Sequence, residues 1–176
     1  MNRIKTWLSH PTHFTGVLVG VALVFSSLLF LWSGRPLALN ESLNNIYLAL
    51  IIIGGFAGIR IFRDRNHGTI SFSHALLTGF RILGISTTIY IVYYAILYLS
   101  RPDLVEAFKQ LMLIQGKELL GDLALYRVAE EQVLTYITPL FIIFVEWFQK
   151  IFYGALFMLI LALLLRRNHL PAKQEE

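Results

Sequence analysis

Glu146 and Lys150 are the two charged residues inside the last long apolar stretch of this 176-residue chain. Their i,i+4 spacing puts both side chains on one helix face, where they can form an ion pair. A charge at the bilayer centre is a functional-site hypothesis by default, because its burial in lipid is costly. Counting about 20 residues back from Leu165, the length of one membrane span, reaches Glu146. We therefore predict an ion pair at the outer membrane boundary, with no charged residue at the midplane.

Four arginines surround the loop between the second and third apolar stretches. Lys and Arg collect in the cytoplasmic loops of membrane proteins, so this loop, residues 63–73, is predicted to be cytoplasmic. Two of the arginines fall at the ends of apolar stretches, where long stems let the charges reach the membrane interface. Each such charge contributes about 1 kcal/mol to the attraction of anionic lipids. We predict contacts with anionic lipid at Arg60, Arg63, Arg65 and Arg81.

Hydroxyl-bearing side chains form a stripe along the third apolar stretch. Residues three or four positions apart share one side of a helix, which places together Thr87, Tyr90, Tyr94 and Tyr98. In one interpretation the stripe is a wall that contacts a lipid tail or an isoprenoid ligand. In the other, which we favour, it provides interhelical hydrogen bonds and an aromatic belt at the outer interface.

Glycines recur at four-residue spacing in the first two apolar stretches. Gly16 and Gly20 lie in the first stretch, and Gly54 and Gly58 lie in the second. Small residues at this spacing let helix backbones approach closely in lipid. The pattern fits either a homodimer interface or packing between the helices of one chain, and we favour the second.

Nothing else in the sequence indicates catalysis. The chain has no cysteine, which excludes disulfide bonds and thiolate chemistry, and its five histidines have no partner at metal-ligand spacing. No nucleophile elbow, phosphate-binding loop or zinc-protease pattern occurs. The net charge of +4 comes from residues at the ends of apolar stretches, where membrane topology accounts for them. We expect no enzyme activity, no cofactor, no bound metal and no nucleic-acid partner.

The elements that position these residues are four long apolar stretches. Hydrophobic residues make up 56% of the chain and charged residues 15%, with a mean hydropathy of +0.63. Soluble domains have about 45–50% apolar and about 25% charged residues. The first stretch is longer than the apolar core of a signal peptide, which favours a retained helix over a cleaved leader. We predict an all-α integral membrane protein with transmembrane helices at 14–32, 46–62, 75–99 and 145–165.

The longest polar segment, residues 101–136, separates the third and fourth predicted spans. Pro102 and Asp103 suit the first turn of a helix, where an acid opposes the positive end of the helix dipole. Apolar residues then recur at helical spacing with charges opposite them, which predicts an amphipathic extracytoplasmic segment. Ser71 is the predicted N-cap of the third helix. Basic residues near both termini and in loop 63–73 place the N- and C-termini in the cytoplasm.

The central loop resembles the signature of domain-of-unknown-function family 4199. The resemblance rests on Arg63-Asp64, the run Gly68-Thr69-Ile70-Ser71-Phe72, Ala75 and Gly79, and on a late Gly154 before a closing Arg166-Arg167. Ser73 and His74 depart from the pattern, so no role is carried over to His74. The resemblance implies a small bacterial inner-membrane protein of four helices. It implies no mechanism, because the family has no established activity.

These features favour a non-enzymatic accessory or scaffold subunit of a complex in the bacterial inner membrane. Its expected partners are membrane lipids and a membrane protein. The alternative is a small lipid-linked carrier or transporter that works as a homodimer. The glycine-rich second span, the Arg60 and Arg81 boundary and the tyrosine stripe motivate that alternative.

Overall fold

Long helices make up most of the chain in the computed structural model, which describes residues 10–34, 37, 40–120, 130–132 and 134–166. Most of these residues belong to five long helices, in the order α1 (Pro11–Trp32), α2 (Glu41–Arg65), α3 (Phe72–Ser100), α4 (Pro102–Leu120) and α5 (Pro139–Leu165). By length and composition α1, α2, α3 and α5 can each cross a membrane. The predicted all-α class with four helices of membrane-spanning length is therefore confirmed.

The helices extend past the predicted apolar spans at their polar ends. α2 begins at Glu41 and α5 at Pro139, each about one turn or more before the apolar stretch. Asn40 and Thr138 cap these two starts, because their side-chain oxygens accept the backbone N–H groups of Leu43 and Phe141. With its first free N–H groups satisfied in this way, a helix can begin in a polar segment.

Two predicted segments have different bounds in the structure. α2 continues to Arg65 and α3 starts at Phe72, so the predicted loop 63–73 narrows to a turn at residues 66–71. Within the predicted outer segment 101–136, α4 occupies Pro102–Leu120, while residues 121–129 and 133 lie outside the described residues. Helix formation depends on backbone capping as well as on hydropathy, which explains why hydropathy alone placed these boundaries a few residues away.

The turn between α2 and α3 begins with Asn66, His67 and Gly68. His67 and Gly68 have φ angles of 53° and 76°, in the left-handed region that glycine adopts without steric cost. The Gly68 N–H donates to the Arg63 carbonyl at 3.1 Å and thereby closes the end of α2. Ser71 is the N-cap of α3, as predicted, and its hydroxyl accepts the His74 N–H. We call this side of the bundle the turn end.

α4 lies at the opposite side of the bundle, which we call the α4 end. It begins at Pro102 with Asp103 in its first turn, as predicted. Val105 and Phe108 are buried on one side of α4, and Glu106 is exposed on another. Arg101 donates to Asp103 at 2.8 Å, and this hydrogen bond lowers the pKa of the Asp103 carboxyl. The location of α4 outside the membrane stays a prediction.

α3 is the central helix of the bundle and has its most extensive contacts with α1 and α5. α2 packs against α1, α3 and α5. Glycines lie where helices approach most closely. A Cβ atom added at Gly16 or Gly20 of α1 would stand 2.9 Å from the Cβ of Ile85 or Ile89 of α3. One added at Gly54 or Gly58 of α2 would overlap Val19 or Ile82 respectively. The four glycines therefore contact neighbouring helices within one chain.

We predict that Gly54→Ala destabilises the bundle by roughly 1–3 kcal/mol, because the new methyl group must push α1 away from α2. Gly84→Ala on α3 is the matched control, since no atom lies within 4 Å of the added Cβ. It should raise stability by up to about 1 kcal/mol through helix propensity. Far-UV circular dichroism during unfolding with a denaturing detergent measures both changes. Equal stabilities of the two variants would contradict this packing.

Candidate functional site

Lys150 of α5 lies in the interior of the bundle, with 6% of its surface exposed. Its Nζ stands 3.1 Å from Oε2 of Glu146, one helical turn earlier. The same Nζ donates a hydrogen bond to Oδ1 of Asn44 on α2 at 2.7 Å. It also lies 4.6 Å from the ring centroid of Tyr47, within cation–π distance. Groups on two helices thus surround one ammonium.

The local sequence explains why these four residues meet. Glu146 and Lys150 share a face of α5 through their i,i+4 spacing. Asn44 and Tyr47 are three residues apart in the first turns of α2, so both face the same neighbour. α2 and α5 pack against each other, which brings the two faces together. An ammonium carries three N–H donors, and Asn44, Glu146 and Tyr47 offer partners to it.

The ring of Tyr47 on α2 packs against the first of a column of tyrosine rings on α3. Its ring centroid lies 4.9 Å from that of Tyr90, and the next two spacings along α3, to Tyr94 and Tyr98, are 5.2 Å and 4.7 Å. All four rings are at most 2% exposed. The Tyr47 hydroxyl also shares a short hydrogen bond with Ser27 of α1. We call these residues the Lys150 cluster: Ser27, Asn44, Tyr47, Tyr90, Tyr94, Tyr98, Glu146 and Lys150.

The hydroxyl-bearing stripe of α3 therefore faces other helices. Thr87, Tyr90 and Tyr94 are buried between them, and Tyr94 donates to the Tyr98 hydroxyl at 3.3 Å. Tyr98 lines a mostly apolar cavity of about 310 Å³ between the end of α3 and α4. Tyr98 therefore borders a space that a lipid tail could enter.

The Glu146–Lys150 pair is enclosed by protein. Lys150 is the twelfth of the 27 residues of α5, about 16 Å from the start of the helix and about 22 Å from its end. Glu146 lies about 6 Å nearer the start. Counting residues back from Leu165 gave a boundary position and did not reveal that both side chains are buried. Their depth in the membrane stays a prediction, whereas their burial among α2, α3 and α5 is a structural fact.

Several buried oxygens near this cluster lack a hydrogen-bond partner within the described residues. They are Thr87 Oγ1, Tyr90 OH, Tyr93 OH and Glu146 Oε2. The 3.1 Å separation of Nζ and Glu146 Oε2 is an ionic contact without hydrogen-bonding alignment. Buried polar atoms are normally paired, so these oxygens are exceptions in the interior of the bundle.

A cavity of about 210 Å³ lies beside Lys150, between α2 and α5. Its polar lining consists of side chains at Asn44, Asn45, Gln149, Lys150 and Tyr153. Leu48 and Ile51 form its apolar part. Amides, an ammonium and a phenol beside apolar residues can bind the polar head of an amphiphile.

The four predicted lipid-contacting arginines lie at the turn end, on α2 and α3. Arg60 and Arg63 are within 3.9 Å and 3.4 Å of the Asp64 carboxylate. Arg65 and Arg81 have no such ion pair with any residue that the structure describes. Among all the residues that the structure describes, no three His, Asp or Glu residues stand close enough together to hold a metal ion.

Sequence reasoning found Glu146, Lys150 and the tyrosines but missed Asn44 and Tyr47. Asn44 lies just before the predicted span that begins at residue 46, and Tyr47 lies at the edge of that span. Polar residues are common at such positions and draw no attention there. Their role follows from α2 beginning at Glu41 and packing on α5. The amide of Asn44 and the ring of Tyr47 are spaced i,i+3, but their partner Lys150 is more than 100 residues away in the chain, 106 from Asn44.

A protein-family model described as "Protein of unknown function (DUF4199)" matches residues 15–167. The match takes in nearly all of α1 and the whole of α2, α3, α4 and α5. Among curated proteins and solved structures, none matches the chain.

We predict that Lys150→Met destabilises the protein by about 3–5 kcal/mol, because Glu146 is left buried without its counter-charge. Adding Glu146→Gln removes the unpaired charge and should restore most of that loss. Lys109→Met is the matched control. Its partner Glu106 lies 3.9 Å away and is exposed, so the expected loss is at most about 1 kcal/mol.

Unfolding of the purified variants in mixed detergent micelles measures these differences. The same loss for Lys150→Met and Lys109→Met would show that the buried pair does not stabilise the bundle. A double variant less stable than Lys150→Met alone would contradict the charge-pairing explanation.

Proposed function

This chain belongs to the DUF4199 family of proteins of unknown function, and we propose that it is a non-enzymatic accessory or scaffold subunit of a complex in the bacterial inner membrane. Both termini and the turn at residues 66–71 face the cytoplasm in this proposal, because basic residues flank the short connections there. Its function is to bind another membrane protein through the surfaces of its spans.

The observation that carries this proposal is a row of exposed, mutually stacked rings on α5. Phe144, Phe148 and Phe152 follow one another at i,i+4, with ring centroids 6.3 Å and 6.0 Å apart. Their interplanar angles are 23° and 18°, and each ring is more than half exposed. A mostly apolar groove of about 320 Å³ runs beside the row, between Phe80 of α3 and Leu156 of α5.

This surface suits another transmembrane helix. Helices associate in lipid mainly through close packing of their side chains, since lipid tails are as apolar as leucine. Rings that are already stacked lose little rotamer freedom on contact, and a groove beside them accepts the side chains of a partner. Aromatic residues are also the side chains that most often dominate binding energy at interfaces.

The interior of the bundle supports a non-catalytic role. The Lys150 ammonium is surrounded by Asn44, Glu146 and Tyr47, so its charge helps to hold α2 and α5 together. The outward aromatic surface is then the feature that the fold offers to other molecules.

We predict that tagged protein, expressed at its native level and purified in mild detergent, retains a stoichiometric protein partner. Phe148→Ala/Phe152→Ala should reduce the retained partner about tenfold, which corresponds to about 1.4 kcal/mol. Phe14→Ala/Phe25→Ala on α1 is the control, because those rings are exposed to 58% and 60%. Quantitative mass spectrometry measures the yields. Purification without a stoichiometric partner, or equal losses in both double variants, would contradict the proposal.

The cavity beside Lys150 favours a second candidate function, a small carrier for a membrane amphiphile. Its polar head would contact Asn45, Gln149 and Tyr153, and its apolar part would follow Leu48 and Ile51. The site for such a carrier is this cavity, since the tyrosine stripe is enclosed between helices.

The carrier function predicts that one lipid species co-purifies in excess over its share of the membrane. Gln149→Leu should lower that excess about tenfold by removing a hydrogen-bonding group from the cavity. Gln115→Leu on the exposed surface of α4 is the control and should change nothing. Lipid mass spectrometry of the purified variants provides the measurement. A retained lipid composition equal to that of the bulk membrane would eliminate this candidate.

A further inference from the structure

The cavity of about 210 Å³ between α2 and α5 differs from the two other cavities described above, whose linings are mostly apolar. Most of its lining residues carry polar side chains. Asn45 and Tyr153 are exposed, Gln149 is half-buried and Lys150 is buried. The polar groups of the cavity therefore extend from the surface of the bundle to the ammonium in its interior.

The cavity carries no net charge, although an ammonium lines it. Lys150 is the charged residue of the lining, and its Nζ stands 3.1 Å from Oε2 of Glu146. The same Nζ donates to Oδ1 of Asn44 at 2.7 Å. The ion pair is neutral as a whole, and the protein already supplies partners to the ammonium. An anionic ligand would have to compete with Glu146, so the cavity does not select for a negative charge.

The remaining polar side chains of the cavity are available to a ligand. Within the part of the chain that the structure describes, no hydrogen bond occupies the side chains of Asn45, Gln149 or Tyr153. Two amides and a phenol offer N–H and O–H donors as well as oxygen acceptors. Asn44 adds the N–H groups of its amide, since its Oδ1 accepts from Lys150. Donors and acceptors thus border the same space.

This mixture of donors and acceptors selects among the polar heads of amphiphiles. Phosphate and carboxylate oxygens only accept, so they would leave the amide oxygens of Asn45 and Gln149 without donors. Ammonium groups only donate, and the ammonium of Lys150 repels them. A hydroxyl group both donates and accepts. A head with several hydroxyls therefore satisfies amides and a phenol without needing a charge.

We propose that this cavity binds the uncharged, hydroxyl-rich head of an amphiphile, with Asn45, Gln149 and Tyr153 as its hydrogen-bonding groups. Its volume of about 210 Å³ is smaller than the roughly 300–1,000 Å³ of complete ligand pockets, so it accommodates the head and leaves the tail outside. Leu48 and Ile51 contact the apolar part next to the head.

The inference rests on the carrier candidate for the presence of a ligand and adds the chemical class of that ligand. The same hydroxyl chemistry occurs in a lipid-linked sugar and in a free sugar. The experiment distinguishes these two sources.

The test measures which lipid heads the protein retains. The purified protein is placed in nanodiscs of phosphatidylcholine that contain equal fractions of monoglucosyl diacylglycerol and phosphatidic acid. Both probes carry the same acyl chains, so they differ in the head alone. Native mass spectrometry counts the lipids that stay bound. We expect the glucosyl lipid to be retained about tenfold above phosphatidic acid, because only its hydroxyls match both the donors and the acceptors of the cavity.

Substitutions in the cavity locate the bound head. Asn45→Leu and Gln149→Leu should each lower retention of the glucosyl lipid by about three- to tenfold, because each removes one amide. Gln115→Leu on the exposed surface of α4 is the matched control and should leave retention unchanged. The unfolding midpoint of each variant in detergent identifies any loss that comes from misfolding.

An excess of methyl glucoside distinguishes the two sources. Displacement of the glucosyl lipid supports the site with a free sugar as its ligand, and undiminished retention supports it with a lipid-linked head. Retention of phosphatidic acid equal to that of the glucosyl lipid would overturn the inference and leave the carrier candidate standing. Retention of neither probe above its share of the nanodisc would overturn both. Equal losses in Gln149→Leu and Gln115→Leu would also overturn the inference, because the lipid would then bind elsewhere.

Discussion

The fold depends on how one ammonium is accommodated among apolar helices. Lys150 is buried on α5, and an isolated charge in such surroundings would cost far more than the few kcal/mol by which proteins are stable. Glu146 supplies the counter-charge from the same helix, while Asn44 and Tyr47 supply an acceptor and an aromatic face from α2. The requirement to satisfy Lys150 thus fixes the register of α2 against α5.

The glycines make this arrangement compatible with close packing. Gly55 of α2 and Gly79 of α3 both lie against Met158 of α5, and Gly154 of α5 lies against Leu83 of α3. Because these contacts bring helices close together, short polar side chains such as Asn44 can reach across an interface. The column of tyrosine rings then connects the pair to α1 and α3 through Ser27, Tyr47 and Tyr90. Polar contacts thus connect the helices within a largely hydrophobic interior, and many large apolar side chains face outward.

Local sequence signals predicted much of the fold. Long apolar stretches predicted the four helices of membrane-spanning length, Ser71 was recognised as a cap, and Pro102 with Asp103 marked the start of α4. The candidate site was harder to predict from the sequence, because Asn44 and Lys150 are separated by 106 residues and meet only through tertiary packing. The difference between Arg63 and Arg65 was also invisible, since both are arginines in the same loop. The structure distinguishes them, because Arg63 lies 3.4 Å from the Asp64 carboxylate and Arg65 forms no ion pair with a described residue.

A double-mutant cycle between Asn44 and Lys150 tests the central claim most directly. Unfolding free energies are measured for wild type, Asn44→Ala, Lys150→Met and the double variant under one set of detergent conditions. If the hydrogen bond between α2 and α5 holds the bundle in register, the two substitutions should be coupled by about 1–3 kcal/mol. Additive effects, within about 0.5 kcal/mol, would contradict the account, because they would show that Asn44 and Lys150 stabilise the protein independently.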